Sequence, residues 1–206
     1  MATTMRSDGA ATAIPGVTRS GPSPVLVATF LVIAAGTMLF GGLLGGYAAA
    51  RTAARVAGEP WPPEAVVLPN VALAVTYLTL AMSSVTAQWA AAAIRIGARS
   101  QLYLAVGTTL LLGFAFLNGI TFVWQRLELE AGTDGFATWV YALTVPHFLV
   151  VVAACALFLV MGFRALGGQF SSGNREFVDC AAAFWHFAVL SGAVIWIGVW
   201  FMEGGP

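Results

Sequence analysis

Two histidines are the side chains that could do chemistry inside the long apolar segments of this sequence. His147 follows Pro146, and His186 lies between Trp185 and Phe187. An imidazole can carry a proton near neutral pH, and its neutral nitrogen can bind haem iron or another metal. Each histidine could instead donate one hydrogen bond to a neighbouring helix or a lipid headgroup, and this structural interpretation is the one that we favour.

A haem held between both histidines is one alternative. The apolar runs that contain them would cross a membrane in opposite directions, which predicts different depths for the two imidazoles. A copper or zinc site needs further ligands, and none stands nearby. Cys155 and Cys180 have no ligand-type neighbour at metal-site spacing, so we predict two free, buried thiols. We therefore expect no catalytic, cofactor-binding or metal-binding residue on this chain.

The composition indicates which elements must hold these side chains. Of the 206 residues, 59% are hydrophobic and 9% are charged, whereas soluble domains are about 25% charged. A soluble protein of this composition would have too few polar side chains to cover its surface, so we predict a polytopic membrane protein. The formal net charge is zero, and no nucleic-acid partner is expected.

Five runs without a charged residue make up most of the chain. Each is long enough for one helix to cross a bilayer. In lipid the backbone N–H and C=O groups must be hydrogen-bonded within the segment itself, and a continuous apolar run achieves this as a helix. We predict an all-α bundle of five transmembrane helices within residues 24–203, after a flexible polar tail over residues 1–23. The predicted spans are 24–50, 67–94, 101–125, 137–163 and 180–202.

The distribution of arginines predicts the orientation of the bundle. More arginines lie in the segments on the side of the N-terminus than on the opposite side, and this bias favours a cytoplasmic N-terminus and an outside C-terminus. Those on the N-terminal side are Arg6, Arg19, Arg95, Arg99, Arg164 and Arg175; those on the other side are Arg51, Arg55 and Arg126.

Small and polar residues within the spans predict how the helices associate. The first span contains two overlapping GxxxG motifs, which favour close helix packing. We expect Asn118 in the third span to make an interhelical hydrogen bond. No Asp, Glu, Lys or Arg lies well inside a span, which argues against a proton or ion transporter. The GxxxG residues are Gly41, Gly42, Gly45 and Gly46.

The order of several motifs resembles the subunit III family of haem–copper cytochrome c oxidases, in its short five-helix bacterial form. Phe184-Trp185-His186-Phe187 is similar to the family's aromatic-Trp-His-Phe. Trp61-Pro62-Pro63 resembles the Trp-Pro-Pro of the loop after the first shared helix. Met38–Gly42, with Tyr47 and Arg51 behind it, resembles Met-Phe-Phe-Ala-Gly followed by an aromatic residue and Ala-Arg. The resemblance covers about residues 24–203.

His147 falls where the family has the first histidine of a His-Gly-x-His motif, but other polar positions of the family are replaced. Gly36 stands where the family has a buried Glu, and Val189 stands where it has an Asp. Phe148 and Val150 replace the Gly and the second His, and residues 119–124 are uncharged where the family has a Glu. The resemblance implies the shape of the family without a proton role for those carboxylates.

The resemblance implies a non-catalytic subunit III of a proton-translocating respiratory oxidase in a bacterial plasma membrane. Such a subunit holds no cofactor, stabilises the catalytic subunit I and supports aerobic electron transport, while haem and copper lie on partner subunits. Subunits I and II, further respiratory-complex subunits and phospholipid are the expected partners. Arg51 could pair with a lipid phosphate, and the remaining candidates for lipid contact or packing are Trp61, His147, Trp185 and His186.

Three alternatives remain open at this stage. A subunit-III-like accessory protein of a nitric oxide reductase would suit the loss of the carboxylates. A membrane protein with bis-histidine haem would use His147 and His186 as ligands. A small-molecule transporter is the third, although the sequence has no inverted repeat and no pair of broken helices.

Overall fold

The computed structural model describes residues 23–130, 132, 134–201 and 203. Five α-helices follow one another along the chain, and each is long and apolar enough to cross a membrane. The prediction of an all-α bundle of five such helices is confirmed. Of the predicted tail over residues 1–23, all but Ser23 lies outside the described residues. The helices are α1 (Pro24–Val56), α2 (Asn70–Arg95), α3 (Arg99–Leu127), α4 (Gly135–Leu166) and α5 (Glu176–Ile195), which continues into a π-helical turn at Trp196–Phe201.

Local sequence explains where these helices begin. The Ser23 hydroxyl accepts a hydrogen bond of 3.2 Å from the Leu26 N–H, and Pro24 occupies the first turn of α1, where its missing N–H costs nothing. Asp134 caps α4 by accepting a 2.6 Å bond from the Ala137 N–H. Glu176 lies in the first turn of α5, where a negative charge is favourable.

The helices differ from the predicted spans mainly at their ends, because charge-free runs mark the apolar core of a helix rather than its hydrogen-bonded limits. Helix α1 continues beyond residue 50 to Val56 and so includes Arg51 and Arg55. Helix α2 begins at Asn70 rather than at residue 67, after the break at Pro69. Helix α5 begins at Glu176 rather than at residue 180.

Helices α2, α3, α4 and α5 form a ring in which each packs against the next, and α5 closes it on α2. Helix α1 lies outside this ring and packs against α4 and α5. The largest fully buried side chains come from the ring and the π-helical turn, among them Trp185, Phe116 and Trp200. Helix α1 contributes Phe40 and Tyr47 to the buried residues.

The bundle has two ends, which we name by a residue at each. The Glu203 end holds the C-terminal ends of α1 and α3, the N-terminal ends of α2 and α4, and Glu203. The Arg95 end holds the opposite helix ends, including Arg95 itself, which pairs with Asp179 at 3.4 Å. Which end faces the cytoplasm stays a prediction from the arginine distribution.

Candidate functional site

His147 lies on α4 in the middle of the bundle and is 1% exposed. Its Nε2 is 2.9 Å from the Ala188 carbonyl oxygen of α5. Because a carbonyl can only accept, the ring must carry its proton on Nε2 and donate it. Gly192 of α5 allows this approach, since a Cβ there would lie 2.9 Å from the imidazole. His147 therefore joins α4 to the backbone of α5.

Three aromatic rings surround His147. Tyr77 of α2 stacks on the imidazole at a centroid distance of 6.4 Å, and Phe116 of α3 meets it edge-on at 5.5 Å. Phe40 of α1 meets it edge-on at 6.1 Å. All five helices thus contribute to one packed cluster with His147 at its centre.

His186 lies on α5 and faces α2. Its Nδ1 is 2.7 Å from the Ser84 hydroxyl oxygen, and its Nε2 is 3.1 Å from the Gln88 amide oxygen. The amide oxygen can only accept, so Nε2 carries the proton and Nδ1 accepts from the serine. Since residues 84 and 88 are four apart, they share one face of α2. His186 is a two-point link between α2 and α5.

Trp185, the neighbour of His186, turns inward and has no exposed surface. Its indole N–H donates a 2.8 Å bond to the Ser83 hydroxyl, and its ring packs at 4.7 Å from that of Phe158. A Cβ at Gly113 of α3 would lie 2.7 Å from the indole. Trp185 therefore needs that glycine, and together they bring α3, α4 and α5 into contact.

The structure revises the expected separation of the two histidines. His147 bonds at Ala188, which is two residues beyond His186 and so about 3 Å along α5 at 1.5 Å per residue. The two imidazoles therefore lie at similar depths, and the prediction of different depths is wrong, because α5 begins earlier than its charge-free run. The imidazoles are distinguished instead by their partners, which lie on α5 for His147 and on α2 for His186.

A second polar cluster lies at the Glu203 end, and we call it the Glu203 cluster. The Glu203 carboxylate is 1% exposed and pairs with Arg51 through Oε1 and with Arg55 through Oε2, the latter at 3.3 Å. The Tyr47 hydroxyl donates to the same carboxylate at 3.3 Å and accepts from the Trp61 indole N–H at 3.1 Å. The cluster thus ties α1 and the loop after it to the C-terminal end of the chain.

Sequence reasoning predicted Arg51 and Trp61 as candidates but missed the group that brings them together. Arg51 pairs with Glu203 of its own chain, whereas the sequence suggested a lipid phosphate. The available signal was the spacing of Arg51 and Arg55, which share one helix face, and the position of Glu203 directly after the last apolar run, at the same end of the bundle. Ser83, Ser84 and Gln88 were also missed, although polar residues within an apolar span were their signal.

The four glycines of the GxxxG motifs occupy different environments. A Cβ at Gly46 would clash with the Trp139 ring of α4, so this glycine is in close packing contact. Gly41, Gly42 and Gly45 have no heavy atom within 4 Å of the corresponding position. A Cβ at Gly36, at the position of the family's buried Glu, would lie 2.5 Å from the Phe187 ring of α5. Gly36 and Gly46 are therefore two glycines of α1 at which a neighbouring helix approaches closely.

The described residues contain no group of three or more His, Cys, Asp or Glu side chains that could hold a metal ion. Cys155 and Cys180 are free and buried, as predicted. The two histidines and the Trp185 indole bond to neighbouring helices of the same chain. This arrangement can hold the helices in register.

The fold and these contacts define a polytopic α-helical membrane protein whose interior polar side chains link its own helices. The family model of cytochrome c oxidase subunit III matches residues 22–203, which include every helix. The chain belongs to the cytochrome c oxidase subunit III family, and the resemblance read from its motifs is confirmed.

Individual relatives agree with this assignment. The chain is 29% identical to cytochrome c oxidase subunit 3 of Synechocystis sp. over 204 residues, covering 95% of this chain and 82% of the relative. It is 28% identical to a probable cytochrome c oxidase subunit 3 of Nocardia farcinica, covering 86% of each. It is 30% identical to the Salmo salar subunit 3, covering 68% of this chain and 53% of that relative.

Proposed function

We propose that this chain is the non-catalytic subunit III of a respiratory haem–copper cytochrome c oxidase in a bacterial plasma membrane. It packs against the catalytic subunit I and stabilises it, in a complex that also contains subunit II and takes part in aerobic electron transport. The haem and copper lie on the partner subunits, and no step of the reaction takes place on this chain.

The observation that carries this proposal is the family match across residues 22–203. The geometry supports a structural role, because the two histidines and the buried indole of Trp185 are all engaged between helices. Both bacterial relatives are covered over more than four-fifths of their length, and the fish relative over about half. This coverage supports the short bacterial form, and the oxidase names of the relatives support an oxidase rather than a nitric oxide reductase.

Phospholipid binding is part of the proposal, and the Glu203 cluster supports a particular place for it. Two arginines share one carboxylate there, which leaves one positive charge in excess. The Arg55 side chain is 54% exposed, whereas that of Arg51 is 22% exposed. Because guanidinium groups bind phosphate well, Arg55 is the better candidate for contact with a lipid headgroup, and Arg51 holds the carboxylate.

Affinity purification through a tag on this chain tests the proposed function. Membranes should be solubilised in a mild detergent, and the eluate should show a haem absorbance spectrum and contain two further oxidase subunits. The tagged chain expressed alone is the control, and we expect no haem absorbance from it. Recovery of the chain from native membranes without any haem-bearing subunit would contradict the proposal.

The stabilising role needs a separate measurement. The oxidase should be compared with and without this chain by following the loss of oxygen consumption during turnover. We expect faster inactivation without the chain, at an unchanged initial rate. Equal inactivation rates would leave the chain as a subunit of the complex but would exclude stabilisation of subunit I.

A further inference from the structure

Asn118 is a polar side chain on the lipid-facing surface of α3. It is exposed, and among the described residues its carboxamide makes no hydrogen bond. Its backbone carbonyl accepts a 2.7 Å bond from the Thr121 hydroxyl, but this leaves the side chain unpaired. The sequence predicted an interhelical hydrogen bond for Asn118, and this chain provides no partner for it.

The depth of Asn118 makes this exposure costly. Helix α3 has 29 residues and is therefore about 43 Å long, whereas the hydrocarbon is about 30 Å thick. Asn118 precedes the end of α3 at Leu127 by nine residues, or about 13 Å. In a helix centred on the bilayer, the carboxamide lies about 7 Å inside the hydrocarbon, where lipid chains offer no hydrogen-bonding group.

The surroundings of Asn118 have the spacing of a helix-packing seam. Leu104, Leu111, Asn118 and Gln125 are seven residues apart, and Ala115 and Phe122 fall between them at the alternate three- and four-residue steps. Leu104 is 60% exposed, Leu111 68% and Phe122 43%. Gln125 lies two residues from the end of α3, so Asn118 is the polar position of this set within the hydrocarbon. An apolar seam with one such polar position is the pattern by which paired helices fix their register. We call this set the α3 seam.

We propose that the α3 seam docks a transmembrane helix of another subunit of the oxidase, and that this helix offers a polar side chain to the Asn118 carboxamide. The inference rests on the proposed function, because membership of the complex supplies the neighbouring helices. A lipid headgroup does not reach the carboxamide at this depth. A second copy of the chain, with Asn118 facing Asn118, is the competing occupant, and the crosslinking test distinguishes it from another subunit.

Site-specific photo-crosslinking in native membranes tests this inference. A benzophenone amino acid is placed at Leu111, one heptad from Asn118, and in a separate variant at Met38 of α1. Met38 is 78% exposed and lies outside the ring, on a helix that packs against α4 and α5 rather than α3. After illumination, we expect Leu111 to yield a covalent adduct with another oxidase subunit.

The same experiment in an Asn118→Leu background isolates the carboxamide. An interhelical hydrogen bond in a membrane is modest, so we expect the adduct yield at Leu111 to fall about threefold to tenfold. An Asn118→Gln background should retain most of the yield. The thermal midpoint of the chain purified alone should not change, because Asn118 makes no side-chain bond among its described residues.

Three results would overturn the inference. An adduct between two copies of this chain would replace the partner subunit with self-association. An oxidase that co-purifies with the chain but gives no adduct at Leu111 would show that another face docks, and would leave the proposed function intact. A chain that enters no haem-bearing complex would remove the proposed function and this inference with it.

Discussion

Helix α1 and the four helices of the ring are all long and apolar, but they bury their side chains to different extents. In the most apolar window of α1, 6% of the residues are buried, against 33% to 56% in the ring helices. The ring is held by contacts distributed along its length, such as Trp185 against Gly113 and His147 against Ala188. Helix α1 is held by Phe40 and Tyr47 and by the Glu203 cluster.

This difference teaches how apolar helices are sorted in one bundle. Hydropathy brings all five into the membrane, but it does not decide which faces meet protein. Buried polar pairs and close contacts at glycines decide this, because an apolar side chain is as favourable against lipid tails as against another helix. The ring should therefore respond to changes in its interior, whereas α1 should respond to changes at the Glu203 end and at Gly46.

The largest effect is expected in the ring, for Trp185→Ala. The substitution removes a fully buried indole and its bond to Ser83, and we expect a loss of about 3–5 kcal/mol in the free energy of unfolding. Detergent-denaturation titration of the purified chain measures this loss. Phe114→Ala is the control, because Phe114 is 50% exposed. Equal losses in the two variants would contradict the distributed packing of the ring.

The next effect is expected for Glu203→Gln, which breaks both ion pairs of the carboxylate with Arg51 and Arg55. Both arginines are partly exposed, so we expect a loss of about 2 kcal/mol, below that of a fully buried pair. Hydrogen–deuterium exchange should speed up in the last turns of α1 and stay unchanged in α3. Glu59→Gln is a matched control, because Glu59 is exposed and forms no ion pair among the described residues. If both variants exchange alike, the carboxylate does not hold α1.

A smaller effect separates two glycines of the same motif. Gly46→Ala places a methyl group against Trp139, and we expect a loss of about 1–2 kcal/mol from overpacking between α1 and α4. Gly42→Ala meets no atom within 4 Å, so its effect should be neutral or slightly stabilising through helix propensity. Unfolding titrations of the two variants, side by side, measure the difference. Equal destabilisation would show that the whole GxxxG surface is packed within the chain.

The smallest effect is expected for His186→Ala, which removes the two hydrogen bonds between α5 and α2. Interhelical bonds of this kind contribute about 0.6–2 kcal/mol in membrane proteins, and we expect about 1 kcal/mol here. Ser84→Ala should reproduce about half of the loss, and the double variant should not exceed the histidine variant. A loss as large as that of Trp185→Ala would mean that His186 does more than link two helices.

The sequence predicted the parts of the fold that depend on solvent preference. Five charge-free runs predicted five helices, and the missing ligands around Cys155 and Cys180 predicted free, buried thiols. The motifs around Trp61 and His186 predicted the family. All of these follow from local composition or from short patterns.

The rest depends on neighbours that are distant in the chain. The bond from His147 goes to a backbone carbonyl, which no residue type reveals. Gly42 and Gly46 belong to the same GxxxG motif and are equivalent in the sequence. Only the position of Trp139, beside Gly46, distinguishes them. Arg51 reads as a free cation until the end of α5 brings Glu203 to it. For Asn118 the sequence predicted an interhelical hydrogen bond, but no partner for its side chain lies in the described part of this chain.

The most direct test of the account is the structure of the complex purified from native membranes through a tag on this chain. We predict that the chain lies beside a haem-bearing catalytic subunit, contains no haem or metal itself, and faces that complex with the α3 seam. A chain found alone, found only with copies of itself, or found with a haem between His147 and His186 would contradict the account.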